Sequence, residues 1–294
     1  MIDLENTLTQ FHILIRNGVT PYSLRRFVSI IKKHYNRHGR AFAWRSDTGP
    51  YSILVSEIML QQTQTSRVSQ KYDEWMRAFP NMESLANAPL KQVLNVWQGM
   101  GYNRRAIALK SSAEIIVRDY GGALPRHPEE LIKLPHIGPN TAGSIAAFAY
   151  NEPTIFIETN IRSVFIAFFF HDKQEVHDKE ILSLVEKTLD TKHPRDWYYA
   201  LMDYGVLLKK TLPNPNKKSK HYARQSTFKG SNRELRGAIL RALSTTHAQT
   251  VSGLVRVFNK QKLTQANKHT IQKNLNDLVH EGFLIKTKNN YSLK

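Results

Sequence analysis

The sequence contains no cysteine among its 294 residues. Disulfide bonds and metal sites built on thiolates are therefore excluded, and an intracellular compartment fits this composition. The sequence also has no apolar run that approaches a membrane span, and its first residues, MIDLENTLTQ, lack the basic and apolar segments of a secretion signal. We therefore expect a cytoplasmic protein that does not enter the membrane.

Acidic residues are scarce relative to basic ones. Lysine and arginine number 42 against 24 aspartates and glutamates, which gives a net charge of +18 and an isoelectric point of about 10.0. This balance favours a polyanionic partner such as nucleic acid, with a membrane surface as the weaker alternative. From Pro213 onward there are 16 basic and three acidic residues, a net charge of +13. A solvated basic face would account for any single lysine, but the asymmetry predicts that this region faces nucleic acid.

Two helices joined by a glycine turn are predicted between Pro128 and Tyr150. The first helix has proline at its first position and must stop at Pro135, and the second starts near Asn140. Between them Gly138 is free to take a positive φ angle. Such a hairpin directs unpaired backbone N–H groups of the second helix outward, where they suit a phosphate oxygen. The alternative interpretation is an ordinary turn between two helices.

One glutamate immediately precedes a predicted helix. Glu158 follows a short apolar run, residues 154–157, and the helix after it is predicted to extend to Phe170. A carboxylate at the positive end of a helix is expected to stay ionised, which suits it to stabilise a positive charge. Glu158 could instead serve only to stabilise the helix start.

A second glutamate, Glu57, lies on a helix predicted to begin at Pro50. Ile53, Leu54 and Leu60 are three or four residues away along that helix, so the side chain of Glu57 emerges on a largely apolar face. Loss of contact with water favours the protonated form of a carboxyl group, which makes Glu57 a candidate proton donor near neutral pH. The alternative is an exposed surface acid without a chemical role.

The segment LPHIGPNTAG, followed by a proline-containing loop and an acid before a helix, resembles the helix-hairpin-helix (HhH-GPD) DNA glycosylases. The resemblance is in particular to the MutY-like adenine glycosylases and endonuclease III. It extends upstream through SEIMLQQTQ and Gly99–Tyr102, downstream to Met202–Gly205, and covers roughly residues 25–210. It implies a mainly α, two-lobed helix-hairpin-helix glycosylase fold that binds double-stranded DNA as a monomer.

By this resemblance the chain is a base-excision-repair enzyme that hydrolyses the N-glycosidic bond of a flipped base. Glu57 would protonate the leaving base, and Glu158, where relatives usually have aspartate, would stabilise the positively charged sugar or position water. Asn140 stands where bifunctional relatives have a nucleophilic lysine, so a monofunctional enzyme is implied. Adenine in a mismatch is the first expectation for the base. Mismatched thymine or uracil, a modified pyrimidine, and a non-catalytic DNA-binding role are the alternatives.

The resemblance also assigns contacts with DNA. Gln61 and Gln62 would enter the duplex where a base is extruded, and Tyr102 would wedge into the base stack. Solvent-facing amides and a core tyrosine are the alternatives for these residues. The further candidate DNA contacts of the core are Arg105, His136, Gly138, Asn140 and Thr141. The backbone carbonyls of Leu134 and Ile137 are candidate ligands of a monovalent cation.

In close relatives, the segment after Met202–Gly205 carries four cysteines that hold an iron–sulfur cluster. Residues 207–218 read LLKKTLPNPNKK here and contain none. The sequence therefore predicts that this cluster is absent and that no cofactor is bound apart from the monovalent cation. Its proline and lysine content predicts a stiff, basic linker over residues 213–230.

Residues 231–294 are predicted to form a winged helix. Helices are expected near 233–244, 250–258 and 265–281, followed by a hairpin of two short strands. Lys268 and Lys273 on the third helix are candidate DNA contacts, although winged helices also bind proteins. Nothing in this segment resembles the larger C-terminal domain with which MutY proteins check for oxidised guanine.

The predicted organisation follows from these segments. The N-terminal helix occupies residues 1–19, the glycosylase core 20–212, the linker 213–230 and the winged helix 231–294. Within the core, residues 20–48 and 156–212 form one lobe and residues 49–155 form the other. Because the expected partner is DNA, we expect a nucleoid-associated protein of the cytoplasm.

Overall fold

The structure, a computed structural model, describes residues 4–224, 226–246, 248–261 and 266–294. The described chain is mainly α-helical, as predicted, with short strands near its C-terminal end. Gln265, near which the last predicted helix starts, lies outside the described residues. Within the described ranges, no helix combines the length and the apolar character that crossing a bilayer needs.

Helices account for most of the elements. In chain order, the helices up to residue 150 are α1 (Leu4–Ile15), α2 (Pro21–His38), α3 (Ala43–Ser46), α4 (Pro50–Leu60), α5 (Thr65–Ala78), α6 (Met82–Asn87), α7 (Leu90–Val96), α8 (Arg104–Tyr120), α9 (Pro128–Leu131) and α10 (Pro139–Tyr150). They are followed by α11 (Thr159–Phe169), α12 (Asp178–Thr188), α13 (Pro194–Thr211), a 3-10 helix (Pro215–Lys218), α14 (Asn232–Thr245), β1 (Gln249–Thr250), α15 (Val251–Lys260), α16 (Lys268–His280), β2 (Leu284–Thr287) and β3 (Asn290–Leu293).

The chain folds into two compact units. The first unit consists of Met1–Ile53, Arg126–Ile132 and Ile137–Arg224, and the second unit of Leu54–Pro125, Lys133–His136 and Gln225–Lys294. Helix α4 begins in the first unit and ends in the second. The second unit combines the C-terminal segment with the middle of the chain, whereas the sequence predicts residues 231–294 as a domain of their own. The predicted domain boundaries stay a prediction.

Local chemistry sets several helix boundaries. Thr20 caps α2, because its hydroxyl accepts a hydrogen bond from the Ser23 N–H while the Thr20 N–H donates to the Ser23 hydroxyl. The first hairpin helix is shorter than predicted. Helix α9 ends at Leu131, because the ring of Pro135 would clash with the carbonyl group four residues before it in a continued helix.

Aromatic side chains fill the core of the first unit. Phe27 is fully buried, and its ring centroid lies 5.1 Å from that of Phe168 and 6.1 Å from that of Trp197. Phe11 of α1 adds an edge-to-face contact with Phe168 at 5.0 Å. These rings pack α1 and α2 against α11 and α13. The helix that follows Glu158 is therefore held by large, rigid side chains on its buried face.

Helix α13 approaches the start of α11 closely. A Cβ atom added at Gly205 would lie 2.5 Å from the Asn160 carbonyl oxygen and 2.7 Å from the Asn160 Cβ atom, so a larger residue would force the backbone to move. Gly205 thereby lets the two helices pack backbone to backbone. Lys209, one turn further along α13, faces the same helix start.

The segment after α13, where composition predicts a linker from residue 213, is part of the first unit as far as Arg224. Pro215 and Asn216 are buried in the 3-10 helix. The side-chain amide of Asn216 donates to the Thr159 carbonyl at 2.9 Å and to the Ser163 hydroxyl at 2.5 Å. Composition alone predicts a linker here because a high proline and lysine content does not reveal a single buried amide that fastens the segment to a helix.

The second unit packs α5 to α8 around two tryptophans. Trp75 and Trp97 are fully buried, and their rings meet edge to face with centroids 5.4 Å apart. Helix α6 packs on α8, and α14 packs on α7. The C-terminal helix α14 is therefore part of the same compact unit as the middle of the chain.

The strands of the second unit form an antiparallel sheet in the order β1-β3-β2. Gln249 lies opposite Tyr291 across β1 and β3, and Leu284 lies opposite Leu293 across β2 and β3. Along the chain the C-terminal segment reads helix, strand, two helices and a hairpin. The described part of this segment thus contains the helices and the hairpin that the sequence predicts.

Candidate functional site

Glu57 lies near the end of α4, and its side chain is half-buried. Its neighbours along the helix, Leu54, Val55, Ile58 and Met59, are each at most 1% exposed. The apolar helix that the sequence predicts around Glu57 is therefore present. Glu57 itself belongs to the second unit.

Residues 61–64, which include Gln61 and Gln62, form a loop. Helix α4 ends at Leu60, directly before them. Gln62 has a φ of 52°, a left-handed conformation that a right-handed helix cannot contain. Gln62 is exposed, and the half-buried Gln61 donates from its amide to the carbonyl of His136 at 3.4 Å. The loop therefore exposes the Gln62 side chain, and its contact with DNA stays a prediction.

Arg105, a predicted DNA contact, is buried. The residue is 4% exposed, and its guanidinium group donates to backbone carbonyls of the last turn of α4, of the loop after it and of the glycine-rich turn before α8. The acceptors are the carbonyls of Ile58 at 3.0 Å, Met59 at 2.9 Å, Gln61 at 2.5 Å, Met100 at 3.2 Å and Gly101 at 3.1 Å, together with the Thr63 hydroxyl at 2.9 Å. Burial lowers the pKa of Arg105 to about 10, so the group is still charged at neutral pH.

Tyr102, the predicted wedge, lies in the glycine-rich turn that Arg105 holds. Its backbone is left-handed with a φ of 48°, and Gly99 and Gly101, which precede it, also have positive φ. The Arg105 and Arg233 guanidinium carbons lie 5.5 and 5.2 Å from the centre of the Tyr102 ring. Arg233 also donates a hydrogen bond to the tyrosine hydroxyl. Tyr102 is half-buried, and its role as a wedge stays a prediction.

The two loops and α14 line a cavity of about 1050 Å³ within the second unit. Three non-glycine residues with positive φ, Gln62, Tyr102 and His136, all line it. Such backbone conformations cost about 1–3 kcal/mol each and are concentrated at functional sites. The hydrogen bonds of Arg105 to both loops supply the restraint that keeps this backbone in place.

The cavity is basic. Its described lining residues include no aspartate or glutamate, and its cationic residues are Arg67, Lys71, Arg104, Arg105, Arg233, Arg236 and Arg241. Three of these arginines come from α14, a helix to which the sequence analysis assigns no contact with DNA. Residues 233, 236 and 241 recur at helical spacing, so they share one face of α14. Helical periodicity in the sequence therefore contains a signal for this face.

Hydrogen bonds join the C-terminal helices to the rest of the second unit. The Gln98 amide donates to the Ser244 hydroxyl at 2.9 Å. Arg104 and Arg236 each pair with Glu281 at 2.5 Å. The hydrogen bond from Arg104 holds the pKa of Glu281 below its usual value; partial burial opposes this effect and the bond from Arg236 reinforces it. These contacts fasten α14 and α16 to the glycine-rich turn.

The hairpin turn differs from the prediction in one backbone angle. The sequence predicts a positive φ at Gly138, but Gly138 has a φ of −89° and His136 has the left-handed angle of 61°. Gly138 precedes α10, and a Cβ atom added to it would meet nothing within 4 Å. His136 and Asn140 are exposed, and Thr141 is half-buried. The surface in front of the first turn of α10 is therefore open.

Asn140 also has a structural contact. Its side-chain oxygen accepts a hydrogen bond from the Ile157 N–H at 3.2 Å. This bond fastens the first turn of α10 to the segment that leads to Glu158. The side chains of Leu134 and Ile137 are buried, and the monovalent cation at their carbonyls stays a prediction.

Glu158 caps α11. Its Oε1 atom accepts hydrogen bonds from the backbone N–H of Asn160 at 2.8 Å and of Ile161 at 3.1 Å, and its Oε2 atom accepts one from the Asn160 side-chain amide at 3.3 Å. Two N–H groups that a helix start leaves unpaired are thereby satisfied. All three partners are donors, and the positive end of the helix dipole lies at the carboxylate, which is the setting that an anion needs.

A further charged residue, which the sequence analysis does not single out, lies at the same helix start. The Nζ atom of Lys209 donates to the Asn160 side-chain oxygen at 2.8 Å. Lys209 is half-buried, and burial lowers the pKa of its amine while the negative charge of Glu158 opposes that change. Lys209 and Glu158 therefore interact electrostatically as well as through Asn160.

The residues after Gly205 do not fit the iron–sulfur cluster that relatives carry. Leu208 is fully buried, the amine of Lys209 is bound to Asn160, and Asn216 is buried against α11. Among residues 4–224, 226–246, 248–261 and 266–294, no group of three or more histidine, cysteine, aspartate or glutamate side chains could hold a metal ion. The sequence contains no cysteine.

The predicted residues fall into three groups. Gln61, Gln62, Tyr102 and His136 meet at the cavity of the second unit. In the first unit, Asn140 and Glu158 lie at adjacent points of the chain fold, joined through the Ile157 N–H. Lys268 and Lys273 are exposed on α16 and do not line the cavity.

Comparison with known proteins identifies relatives of the core. The chain is 35% identical over 187 residues to the adenine DNA glycosylase of Buchnera aphidicola subsp. Baizongia pistaciae (strain Bp), with 62% of this chain and 52% of that protein covered. It therefore spans about half the length of that relative. It is 28% identical over 185 residues to the thymine/uracil-DNA glycosylase of Methanothermobacter thermautotrophicus, with 62% of this chain and 84% of that protein covered.

A solved structure shares the fold. The structure of a thermostable thymine-DNA glycosylase superposes with a TM-score of 0.59 at 26% identity, covering 66% of this chain and 91% of that one. Residues 55–189 match the family described as HhH-GPD superfamily base excision DNA repair protein. This range includes Glu57, the hairpin and Glu158. Over residues 55–189 the chain therefore matches the HhH-GPD superfamily, the family that its sequence motifs resemble.

Proposed function

We propose that this chain is a DNA glycosylase that hydrolyses the N-glycosidic bond of a flipped base in duplex DNA. The observation that carries the proposal is that the family match, residues 55–189, contains both candidate acids and the hairpin. The surroundings of the two acids support it. Glu57 lies on an apolar helix, and Glu158 accepts hydrogen bonds from two backbone N–H groups and one side-chain amide. Two carboxyl groups in such different surroundings suit two different roles.

In the proposed mechanism, bond breaking passes through positive charge on the sugar and needs one acid and one anion. Glu57 donates a proton to the leaving base. Glu158 stabilises the oxocarbenium ion or positions the attacking water through Oε2, the oxygen with the longer hydrogen bond of 3.3 Å. Asn140 offers no amine nucleophile, so the enzyme is monofunctional and forms no covalent intermediate there.

Adenine in a mismatch is the first candidate for the excised base. Its support is the similarity, at 35% identity, to a protein named as an adenine DNA glycosylase. Mismatched thymine or uracil is the second candidate. Its support is that the chain covers 84% of the thymine/uracil-DNA glycosylase, compared with 52% of the adenine enzyme. A modified pyrimidine and a non-catalytic DNA-binding role are further alternatives.

The DNA surface of this proposal has contributions from both units. In the first unit, the open first turn of α10 binds a phosphate through its backbone N–H groups, with Gly138 and Thr141 at that turn. In the second unit, Gln61, Gln62 and Tyr102 contact the opened duplex, and the cavity arginines bind the backbone.

The C-terminal segment acts in this proposal as a winged helix that contacts DNA through α14, with the exposed Lys268 and Lys273 of α16 adding charge. The protein works as a monomer on the nucleoid. A monovalent cation at the carbonyls of Leu134 and Ile137 would support the hairpin. No iron–sulfur cluster takes part, because the residues after Gly205 cannot ligate one.

Single-turnover excision on a panel of duplexes tests the proposed function. The panel contains adenine opposite guanine or oxidised guanine, thymine and uracil opposite guanine, and modified pyrimidines, each assayed for abasic product. We expect excision from at least one duplex, and a loss of about two to four powers of ten in Glu57→Gln without a change in DNA affinity. Glu186→Gln, an exposed acid on α12, is the matched control. Near-normal excision by Glu57→Gln would overturn its role as the proton donor.

A further inference from the structure

The start of α11 is fastened by groups from several elements of the first unit. Gly205 of α13 lies against the Asn160 backbone, and Asn216 donates to the Thr159 carbonyl at 2.9 Å. From the other side, Asn140 accepts the N–H of Ile157 at 3.2 Å. These contacts fix the backbone on which Glu158 stands. They do not fix the Glu158 side chain, which has three rotatable bonds of its own.

The Glu158 carboxylate is oriented by a chain of side-chain hydrogen bonds. Lys209 Nζ donates to the Asn160 side-chain oxygen at 2.8 Å, and the Asn160 side-chain nitrogen donates to Glu158 Oε2 at 3.3 Å. An asparagine amide can turn either end toward a neighbour, but an ammonium group is a donor with no acceptor. Lys209 therefore requires the oxygen of Asn160 to face it, and the amide nitrogen is left to face Glu158.

We propose that Lys209 is a positioning residue for Glu158, acting through the orientation of the Asn160 side chain. This inference rests on the proposed role of Glu158 in base excision. The chain of bonds restrains the torsions of a glutamate, which has one more rotatable bond than the aspartate that relatives usually have at this position. Lys209 lies one turn after Gly205, where α13 packs closely on α11, so the backbone that carries the Lys209 amine is fixed relative to α11.

The other charged groups around α11 have different hydrogen-bond partners, although the charge of Arg162 also helps to lower the pKa of Lys209. Arg162 on α11 pairs with Asp178 of α12 at 2.7 Å. From α1, His12 bonds to the Ala167 carbonyl, at the opposite end of α11. The 3-10 helix contributes the neutral amide of Asn216 at this point. Among these charged groups, Lys209 of α13 is therefore the one that bonds to the Asn160 side chain, which in turn bonds to Glu158.

The test compares Lys209→Met with Lys209→Arg and Lys210→Met. Lys210 is exposed on the same helix, so Lys210→Met removes the same charge without touching Asn160. We expect Lys209→Met to lower the single-turnover excision rate by about ten-fold while its DNA affinity equals that of Lys210→Met. Lys209→Arg keeps the charge and a donor, and we expect it to retain the rate within about three-fold. Lys209→Met should add nothing to the loss in Asn160→Ala.

A second measurement does not depend on excision. The NMR signals of the Asn160 side-chain NH2 group should shift in Lys209→Met and stay in place in Lys210→Met, because the amide is free to turn once Lys209 no longer donates to its oxygen. Unchanged amide signals together with an unchanged rate would overturn the proposal. So would a rate loss that is matched by lost DNA affinity and a lower Tm and is not rescued by arginine. If the unaltered protein excises no base from any duplex, the proposed function fails, and the NMR signals still decide whether Lys209 orients Asn160.

Discussion

The start of α11 in the first unit and the cavity of the second unit hold their functional groups in opposite ways. At the start of α11, contacts from different elements fasten a regular backbone, and Glu158 accepts hydrogen bonds from backbone N–H groups of α11 itself. At the cavity, Gln62, Tyr102 and His136 have left-handed backbones, and the guanidinium group of Arg105 holds both loops. The start of α11 is therefore held by several separate contacts, whereas the two cavity loops depend on the single side chain of Arg105.

This difference matches what each region is proposed to do. A carboxylate that stabilises a transition state needs one orientation, and distributed contacts supply it with little backbone strain. A surface that enters DNA must present side chains from loops, and such loops are strained and need a restraint. We therefore expect single substitutions to have graded effects near Glu158 and severe effects at Arg105.

Arg105→Met should have the largest effect on stability. The substitution removes the donor for five backbone carbonyls, two in the last turn of α4 and three in loops, and buried carbonyls left without a donor cost about 1–3 kcal/mol each before relaxation. We expect the free energy of unfolding to fall by about 4 kcal/mol, because relaxation and water recover part of that sum. Denaturant titration followed by circular dichroism measures it.

Arg104→Met is the control, since the neighbouring arginine is exposed and pairs with Glu281 on the surface. We expect it to cost under about 1 kcal/mol. Equal losses for the two variants would show that the cavity loops do not depend on Arg105 and would remove the contrast between the two regions.

Asp203 tests this comparison in the first unit because, like Arg105, it is a buried charged residue with several hydrogen bonds. Its carboxylate is 1% exposed and accepts four hydrogen bonds, two from Arg40 and two from Arg45, between 2.6 and 2.9 Å. Burial alone would raise the pKa of Asp203, but the hydrogen bonds and charge of Arg45, with those of Arg40, hold it below its usual value. We expect Asp203→Asn to cost about 3 kcal/mol at pH 7.

The pH dependence of that cost has a fixed sign. Because the pKa of Asp203 is lower in the folded state, its contribution is complete above the unfolded-state value of about 4 and is lost as the pH falls through the folded-state value. The difference in unfolding free energy from Asp203→Asn should therefore be constant from pH 5 to 7 and shrink below about pH 4. A difference that grows on acidification would contradict this assignment.

The features that could be predicted from the sequence are those that depend on neighbouring residues. The cap formed by Glu158 involves the next three residues, and the helix pattern on both sides of it is local. The sequence predicts a DNA contact for Arg105 and not its burial, because its acceptors are backbone carbonyls up to 47 residues away, which have no signature in residue type. The sequence likewise predicts a positive φ at Gly138 and not at His136, because glycine permits a positive φ but does not require it.

Long-range packing also explains why the sequence does not predict the arginines of α14 as cavity residues. The sequence assigns the DNA contacts of this segment to Lys268 and Lys273, the exposed residues of a third helix. The cavity is lined instead by α14, because Arg233 contacts Tyr102 and Gln98 contacts Ser244 within the second unit. The spacing of Arg233, Arg236 and Arg241 in the sequence indicates that they share one face of α14, but it does not reveal that this face lines the cavity.

Arg233→Met should have the smallest effect of those considered, and it sharpens the comparison at the cavity. If the arginines of α14 bind phosphates, the loss of one contact lowers the salt dependence of DNA binding by about one unit of slope. Lys268→Met is the control, because Lys268 carries the same charge on the exposed surface of α16 and does not line the cavity. Affinities measured by fluorescence anisotropy over a range of salt concentrations give both slopes.

The two slopes distinguish the cavity from general attraction by a basic surface. We expect the salt slope of Arg233→Met to fall and that of Lys268→Met to change less. Arg233 lies beside Tyr102, so it contacts DNA if Tyr102 enters the base stack. Equal changes would mean that the C-terminal charge acts as a diffuse field. A change in Lys268→Met alone would return the contact to α16, as the winged-helix pattern of the sequence predicts, and would leave Arg233 as a support for the Tyr102 side chain through its hydrogen bond to the hydroxyl.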